Sequence, residues 1–157
     1  SRSRGAYQDL FRQRTVTKHY EAVAPWRSDL ALPCTHSSRM VEGVPGEPFF
    51  KMGEVPGEPN SQTHIELLDV AGALARYRLS PVTGRKHQLR LHLAALGIPI
   101  VNDLFYPRVL LGPDEPDDHT RPLQLLARSL VFTDPFSGQP RRFESRLRLN
   151  WPPTDLR

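Results

Sequence analysis

Leu79 to Tyr106 reads LSPVTGRKHQLRLHLAALGIPIVNDLFY. The LARYRL run leading into it, Leu74 to Leu79, alternates as a half-buried strand does. Pro81, Thr83 and Gly84 break that alternation. Leu89, Leu93 and Leu96 then recur at helical spacing as far as Gly97, which suits a helix end because glycine tolerates left-handed backbone. The side chains of this helix are divided along its length: Arg85, Lys86, His87, Gln88, Arg90 and His92 fill the first two turns, and Leu93, Ala94, Ala95 and Leu96 finish it. The polar end has to face a site or solvent, and the apolar end a core. Unpaired N–H groups and the positive end of the dipole attract an anion at a helix N-terminus, and added cations strengthen that preference, so phosphate is the expected guest. The competing reading is a basic first turn that binds nothing, although cations there oppose the dipole.

Outward from this stretch, the chain alternates strands and turns. Thr15 to Ala24 reads as a strand with Val16, Lys18, Tyr20 and Ala22 on one face and Thr17, His19, Glu21 and Val23 on the other. Ser3 to Arg14 before it reads as a short helix with Tyr7, Leu10 and Phe11 together. Residues 26–62 are rich in Pro, Gly and Ser. They repeat a turn, Val44-Pro45-Gly46-Glu47-Pro48 and Val55-Pro56-Gly57-Glu58-Pro59, around the apolar Phe49 to Met52, which suggests a short hairpin arm. Thr63 to Val70 and Leu74 to Leu79, joined by Ala71-Gly72-Ala73, form a second expected hairpin. A solvated loop with Asp114, Glu115, Asp117 and Asp118 precedes a last hairpin, Leu123 to Thr133 with Arg141 to Leu149. The expected fold class is α+β: a mixed, mostly antiparallel sheet with a few helices packed on it, one domain over residues 1–157.

Composition narrows the function classes. A chain of 157 residues, 38% of them hydrophobic, can bury one sizeable core, and no apolar run approaches the roughly 20 residues of a membrane helix. Cys34 is alone, so no disulfide framework exists and a cytoplasmic location is expected. Net charge is +4, and of 21 basic residues only Lys18, Lys51 and Lys86 are Lys. Arg offers a planar fork for phosphate and stacks on bases, which suits RNA, although an Arg-rich genome would produce the same bias. Arg2, Arg4, Arg12, Arg14 and Lys18 against Asp9 make the first segment basic. His87 and His92 are badly spaced for a shared ion, and no Cys or carboxylate joins them in sequence, so no metal is expected.

Thr83 to His92, then Gly97-Ile98-Pro99-Ile100 and Asp103 to Tyr106, resemble the third motif of the RluA-type pseudouridine synthases. Phe11 to Val23 is similar to that family's basic segment with a Lys and a Tyr on a strand, and Leu123 to Gly138 resembles its C-terminal strand pair. The segments keep the family's order. Leu126-Ala127 stands where His-Ala is usual, Asp134-Pro135 where His-Pro is usual, and Asn102 where Gly is common. The family's catalytic Asp lies in an Arg-Leu-Asp motif upstream of the Tyr strand. No such string occurs in residues 1–157, and the nearest, Arg148-Leu149-Asn150, is at the wrong end. The resemblance therefore implies a catalytic domain lacking its N-terminal portion and inactive by itself; the alternative is a non-catalytic RNA-binding protein or RNA chaperone derived from the family.

The resemblance implies isomerisation of specific uridines in ribosomal or transfer RNA by a monomer that needs no cofactor. It makes Arg90 the partner of the catalytic Asp and Tyr20 the active-site Tyr, whose ring stacks on the target base. Arg85, Lys86, His87, Gln88 and His92, with Arg12, Arg14 and Lys18, are the expected RNA contacts. Leu79, Ile98 and Ile100 are expected apolar walls of the base pocket. Read without the resemblance, Tyr20 is equally a core aromatic on a strand face; the competing reading of Arg90, as a first-turn phosphate contact, is the weaker one.

Overall fold

The computed structural model describes residues 16–107, 109, 121–134 and 136–152. The expected N-terminal helix, with Arg12 and Arg14, and the acidic residues 114–118 lie outside these. Seven strands form one sheet: β1 (Thr17–Pro25), β2 (Cys34–Glu42), β3 (Met52–Val55), β4 (Ser61–Ala71), β5 (Leu74–Pro81), β6 (Leu125–Thr133) and β7 (Pro140–Glu144). Their spatial order is β3-β2-β4-β5-β1-β6-β7. Among the described residues the single helix is α1 (Gln88–Ala95), between β5 and β6.

This corrects the expected α+β class. Among the described residues every pairing is antiparallel, so the sheet they form is not mixed, and their one eight-residue helix does not make a helical layer. The reason is local. Hairpins close β2–β3, β4–β5 and β6–β7, and such connections leave no crossover in which a helix could form. The one helical stretch is shorter than its sequence suggests, because Arg85, Lys86 and His87 belong to the turn before it.

The first strand inserts between β5 and β6, and this places the site. Tyr20 sits opposite Leu79 on β5 and Ala127 on β6, while Ala22 pairs with Tyr77 and Ala24 with Ala75. Cross-strand partners share a face, so Tyr20, Ala22 and Ala24 look the same way as Ile65, Tyr77 and Leu79. That face buries Leu89 and Leu93 of α1 together with Ile98 and Ile100. The helix ends as the sequence predicts: Gly97 has φ +80°, its N–H donates to Ala94 O at 3.0 Å and the Ile98 N–H to Leu93 O at 3.0 Å, the paired bonds of a Schellman motif.

β2 is the element that the sequence concealed. In CTHSSRMVE the side chains at 34, 36, 38 and 40 turn inward and those at 35, 37 and 39 outward. Two of the inward set, His36 and Ser38, are polar, so a strand period is present without its hydrophobic signature.

Candidate active site

The turn that joins β5 to α1 is held by two side chains. Thr83 Oγ1 accepts the Gln62 N–H at 3.0 Å and donates to Gln88 Oε1 at 2.6 Å; the same oxygen accepts the Arg85 N–H at 3.1 Å. Gln88 Nε2 donates to Gln62 O and to Thr63 Oγ1, both at 2.9 Å. All four hydrogen-bonding positions of this amide serve the fold, and Gln88 is 4% exposed. Gln88 is thus placed to hold the turn, not to meet RNA.

Arg90 projects from the next turn of surface toward Asp103. Its Nε donates to Oδ2 at 3.0 Å and its Nη2 to Oδ1 at 2.7 Å, a two-pronged ion pair whose carboxylate side chain is fully buried. Oδ1 also accepts the N–H groups of Phe105 and Tyr106 at 2.9 and 3.1 Å. The guanidinium lies 4.9 Å from the Phe105 ring centre and 5.5 Å from that of Tyr106. Asp103 therefore anchors Arg90, where the resemblance pairs Arg90 with a different carboxylate. Sequence reasoning placed Asp103 in the motif without a role, because a bond between a helix and a later turn leaves no periodic trace.

His87 enters the helix with φ 55°, an uncommon left-handed conformation for this residue type. Its Nδ1 lies 2.9 Å from the Tyr106 hydroxyl, which also accepts the Met52 N–H at 2.8 Å. Burial raises the Tyr106 pKa, so the phenol keeps its proton. Where that proton is donated to Nδ1, the His87 ring carries its own N–H at Nε2. Burial, with Arg90 and Lys86 nearby, lowers the His87 pKa and keeps the ring neutral.

These elements line an open pocket of about 400 Å³, formed by Lys18 and Tyr20 from β1, Thr83, Arg85 and His87 from the turn, and Arg90 from α1, with Leu89, Leu123 and Leu125 as apolar walls. Leu79, Ile98 and Ile100, expected as walls, are instead 0–2% exposed within the core beneath. The Lys18 Nζ stands 3.4 Å from where a Cβ on Gly84 would lie, so the ammonium covers the turn. A bulge in the β1–β6 pairing falls between His19 and Tyr20, at the point where Tyr20 meets the pocket. A second recess of about 460 Å³ shares Lys18 and Tyr20 and continues along Arg128 and Ser129 of β6.

The expected RNA contacts thus separate. Lys18, Arg85 and His87 reach the pocket, while Lys86 faces Glu42 at 3.8 Å on the surface. His92 is 0% exposed, with Nδ1 2.9 Å from Thr63 Oγ1 and Nε2 3.1 and 3.0 Å from the hydroxyls of Ser38 and Ser61. The reason that it turns inward is helical geometry: two positions from Arg90, it points to nearly the opposite side. Its pKa falls to about 4, chiefly through burial and then the neighbouring His36. His36, Glu54 and His92 form a group whose ligand-type atoms all lie within 4.8 Å of one another.

Residues 2–95 match the family described as RNA pseudouridylate synthase. The chain belongs to that family. It is 32% identical over 145 residues to the dual-specificity RNA pseudouridine synthase RluA of Haemophilus influenzae, an alignment covering 87% of this chain and 59% of that protein. Against the protein of the same name from Escherichia coli strain K12 it is 35% identical over 143 residues, covering 86% and 59%. Human RNA pseudouridylate synthase domain containing 1 superposes with a TM-score of 0.69 at 29% identity, covering 90% of this chain and 58% of that one. The chain spans about three fifths of the length of these relatives. The position at which the sequence resemblance led us to expect Gly, Asn102, has a physical account. Asn102 has φ 68°, a conformation easiest for Gly and next easiest for Asn, and its Nδ2 donates to Pro122 O at 2.9 Å.

Proposed function

We propose that this protein is an RNA pseudouridine synthase, detaching the base of a chosen uridine in ribosomal or transfer RNA and rejoining it through carbon. The observation that carries the proposal is the pocket where Tyr20 of β1 and Arg90 of α1 meet beneath the cations of the Thr83–His87 turn. Its volume of about 400 Å³ lies in the range of small-molecule sites, enough for a nucleoside turned out of its stack. Tyr20 supplies a ring for the base and a hydroxyl for proton movement. The neutral His87 offers an Nε2 N–H to a carbonyl oxygen, and Lys18 and Arg85 meet the phosphates. The rearrangement is internal to the nucleotide and calls for no cofactor.

The attacking carboxylate is not Asp103. Both of its oxygens accept hydrogen bonds, and its side chain is fully buried. The family resemblance assigns that role to an Arg-Leu-Asp motif, a string that residues 1–157 do not contain. Turnover is accordingly expected where such a carboxylate is supplied, and RNA binding without turnover where it is not. A cytoplasmic monomer belongs to the same proposal; among the described residues no helix is long and apolar enough to cross a membrane.

A second reading, an RNA-binding protein without catalysis, is favoured by the way Asp103 already occupies the Arg90 fork. The two separate on one measurement. Ribosomal and transfer RNA are incubated with the full-length protein, and nucleosides are quantified by mass spectrometry. New pseudouridine that disappears in Tyr20→Phe supports the synthase. RNA held with equal affinity by both forms, with no pseudouridine in either, establishes the binding protein.

A further inference from the structure

The β2–β3 hairpin meets α1 at three side chains that the proposed reaction leaves unused. His36 comes from β2, Glu54 from β3 and His92 from α1. Both imidazoles turn Nε2 toward one carboxylate oxygen: His36 Nε2 is 2.7 Å and His92 Nε2 3.9 Å from Glu54 Oε2. The rings stand edge to face, at 75° to one another with centres 4.6 Å apart. We propose that His36, Glu54 and His92 bind a divalent transition-metal ion of the zinc class.

The donor set and its surroundings support this. Two imidazoles and one carboxylate are a set that zinc accepts at bonds of roughly 2.0–2.2 Å, which puts ligand atoms about 3.3 Å apart in a tetrahedron. The three atoms here lie within 4.8 Å of one another; to reach tetrahedral spacing the His92–Glu54 pair at 3.9 Å has to close, and the His36–Glu54 pair at 2.7 Å to open, each by about 0.6 Å. His92 is oriented from behind: Thr63 Oγ1 lies 2.9 Å from its Nδ1, and Gln88 Nε2 donates to the same hydroxyl at 2.9 Å. A metal-bound histidine ordinarily has such a partner on its second nitrogen. The hydroxyls of Ser38 and Ser61, 3.1 and 3.0 Å from His92 Nε2, hydrogen-bond that nitrogen in the metal-free protein and have to turn aside when an ion takes its lone pair. His92 is fully buried, while His36 and Glu54 are 21% and 25% exposed, which provides an entry path from one side. An ion here ties the edge hairpin of the sheet to the helix that carries Arg90. The competing account is a hydrogen-bonded network alone, with His36 donating to Glu54.

The test uses the full chain, stripped with EDTA and dialysed, then titrated with cobalt chloride and, separately, zinc chloride. The expected result is a visible cobalt spectrum saturating at about one ion per chain, displaced by zinc, with a rise in thermal midpoint. His36→Ala and Glu54→Gln should each lose at least roughly tenfold in metal affinity. His64→Ala, on the opposite face of the sheet with Thr35 as its partner, should bind as the unaltered protein does. Circular dichroism identifies a variant that fails to fold; the other then decides. Absence of a cobalt spectrum in the unaltered protein, or affinity unchanged in a folded His36→Ala or Glu54→Gln variant, overturns the proposal. Because metal content is read without RNA, this outcome is independent of whether the protein makes pseudouridine.

Discussion

The Arg90 guanidinium stands between pocket and core, with Asp103 on its Nε and Nη2 and the Phe105 ring 4.9 Å away. Its charge is secured from behind while the residue still lines the pocket. Asp103→Asn keeps the volume but leaves the cation, with a side chain only 17% exposed, without its counter-ion. We expect a loss of roughly 3 kcal/mol in urea unfolding; an unchanged midpoint would show that the ion pair contributes nothing net. Tyr106 is a second such residue. Tyr106→Phe removes the acceptor for the buried Met52 N–H and the donor to His87 Nδ1, and should cost about 1–3 kcal/mol. It also releases the His87 tautomer, so RNA affinity should weaken with the stability loss; stability falling while RNA binding stays intact would exclude His87 from the interface. The sequence marked Arg90 and His87 as candidate site residues. The partners that orient them come from later in the chain, and only folding discloses them.

For the elements, legibility followed the hydrophobic period. β4, β5 and β6 were visible because apolar residues recur at strand spacing, and the stop of α1 because Gly97 needs φ +80°. β2 was invisible since its inward side chains include His36 and Ser38, which are satisfied by Glu54, Ser61 and His92 instead of by burial of carbon. The start of α1 was misread for a related reason. Basic side chains at 85–87 resemble a helical turn in composition, yet Gln88 folds back on Thr83 and the Arg85 N–H and holds that segment as a turn. Gln88→Ala removes every one of these bonds and leaves a buried Thr63 hydroxyl with one partner fewer. Unfolding free energy should drop by roughly 2 kcal/mol, and in the turnover assay of the proposed synthase KM for RNA should rise more than kcat falls, the outcome expected of a turn that only positions cations. An equal fall in kcat with KM unchanged would contradict that division of labour. Gly97→Ala tests the other end: left-handed backbone costs a side chain about 1–2 kcal/mol, and a Cβ would meet the Arg27 guanidinium, so thermal stability should fall by that order.

At the scale of the whole molecule, one helix and one edge hairpin are joined to the central sheet through a polar centre, and pH should expose that arrangement. His92 is wholly buried, and its pKa is lowered from 6.5 to about 4 by burial first, then by His36, with Glu54 opposing. The unfolded chain therefore binds a proton near pH 6.5 that the folded chain refuses until about pH 4. Stability from this group is fully present above pH 6.5, declines as pH falls, and is gone below about 4, a total of roughly 3 kcal/mol. His87, also lowered by burial, adds in the same direction. With EDTA present to keep the centre metal-free, urea unfolding between pH 7 and 4.5 should show a slope approaching about 1.4 kcal/mol per pH unit below 6. Ordinary carboxylates contribute little to that slope, because they titrate near pH 4 and below. A flat profile over this window would mean that His92 protonates in the folded state. His92 would then have to accept a charge between His36 and the serine hydroxyls, which the complete burial of its ring opposes.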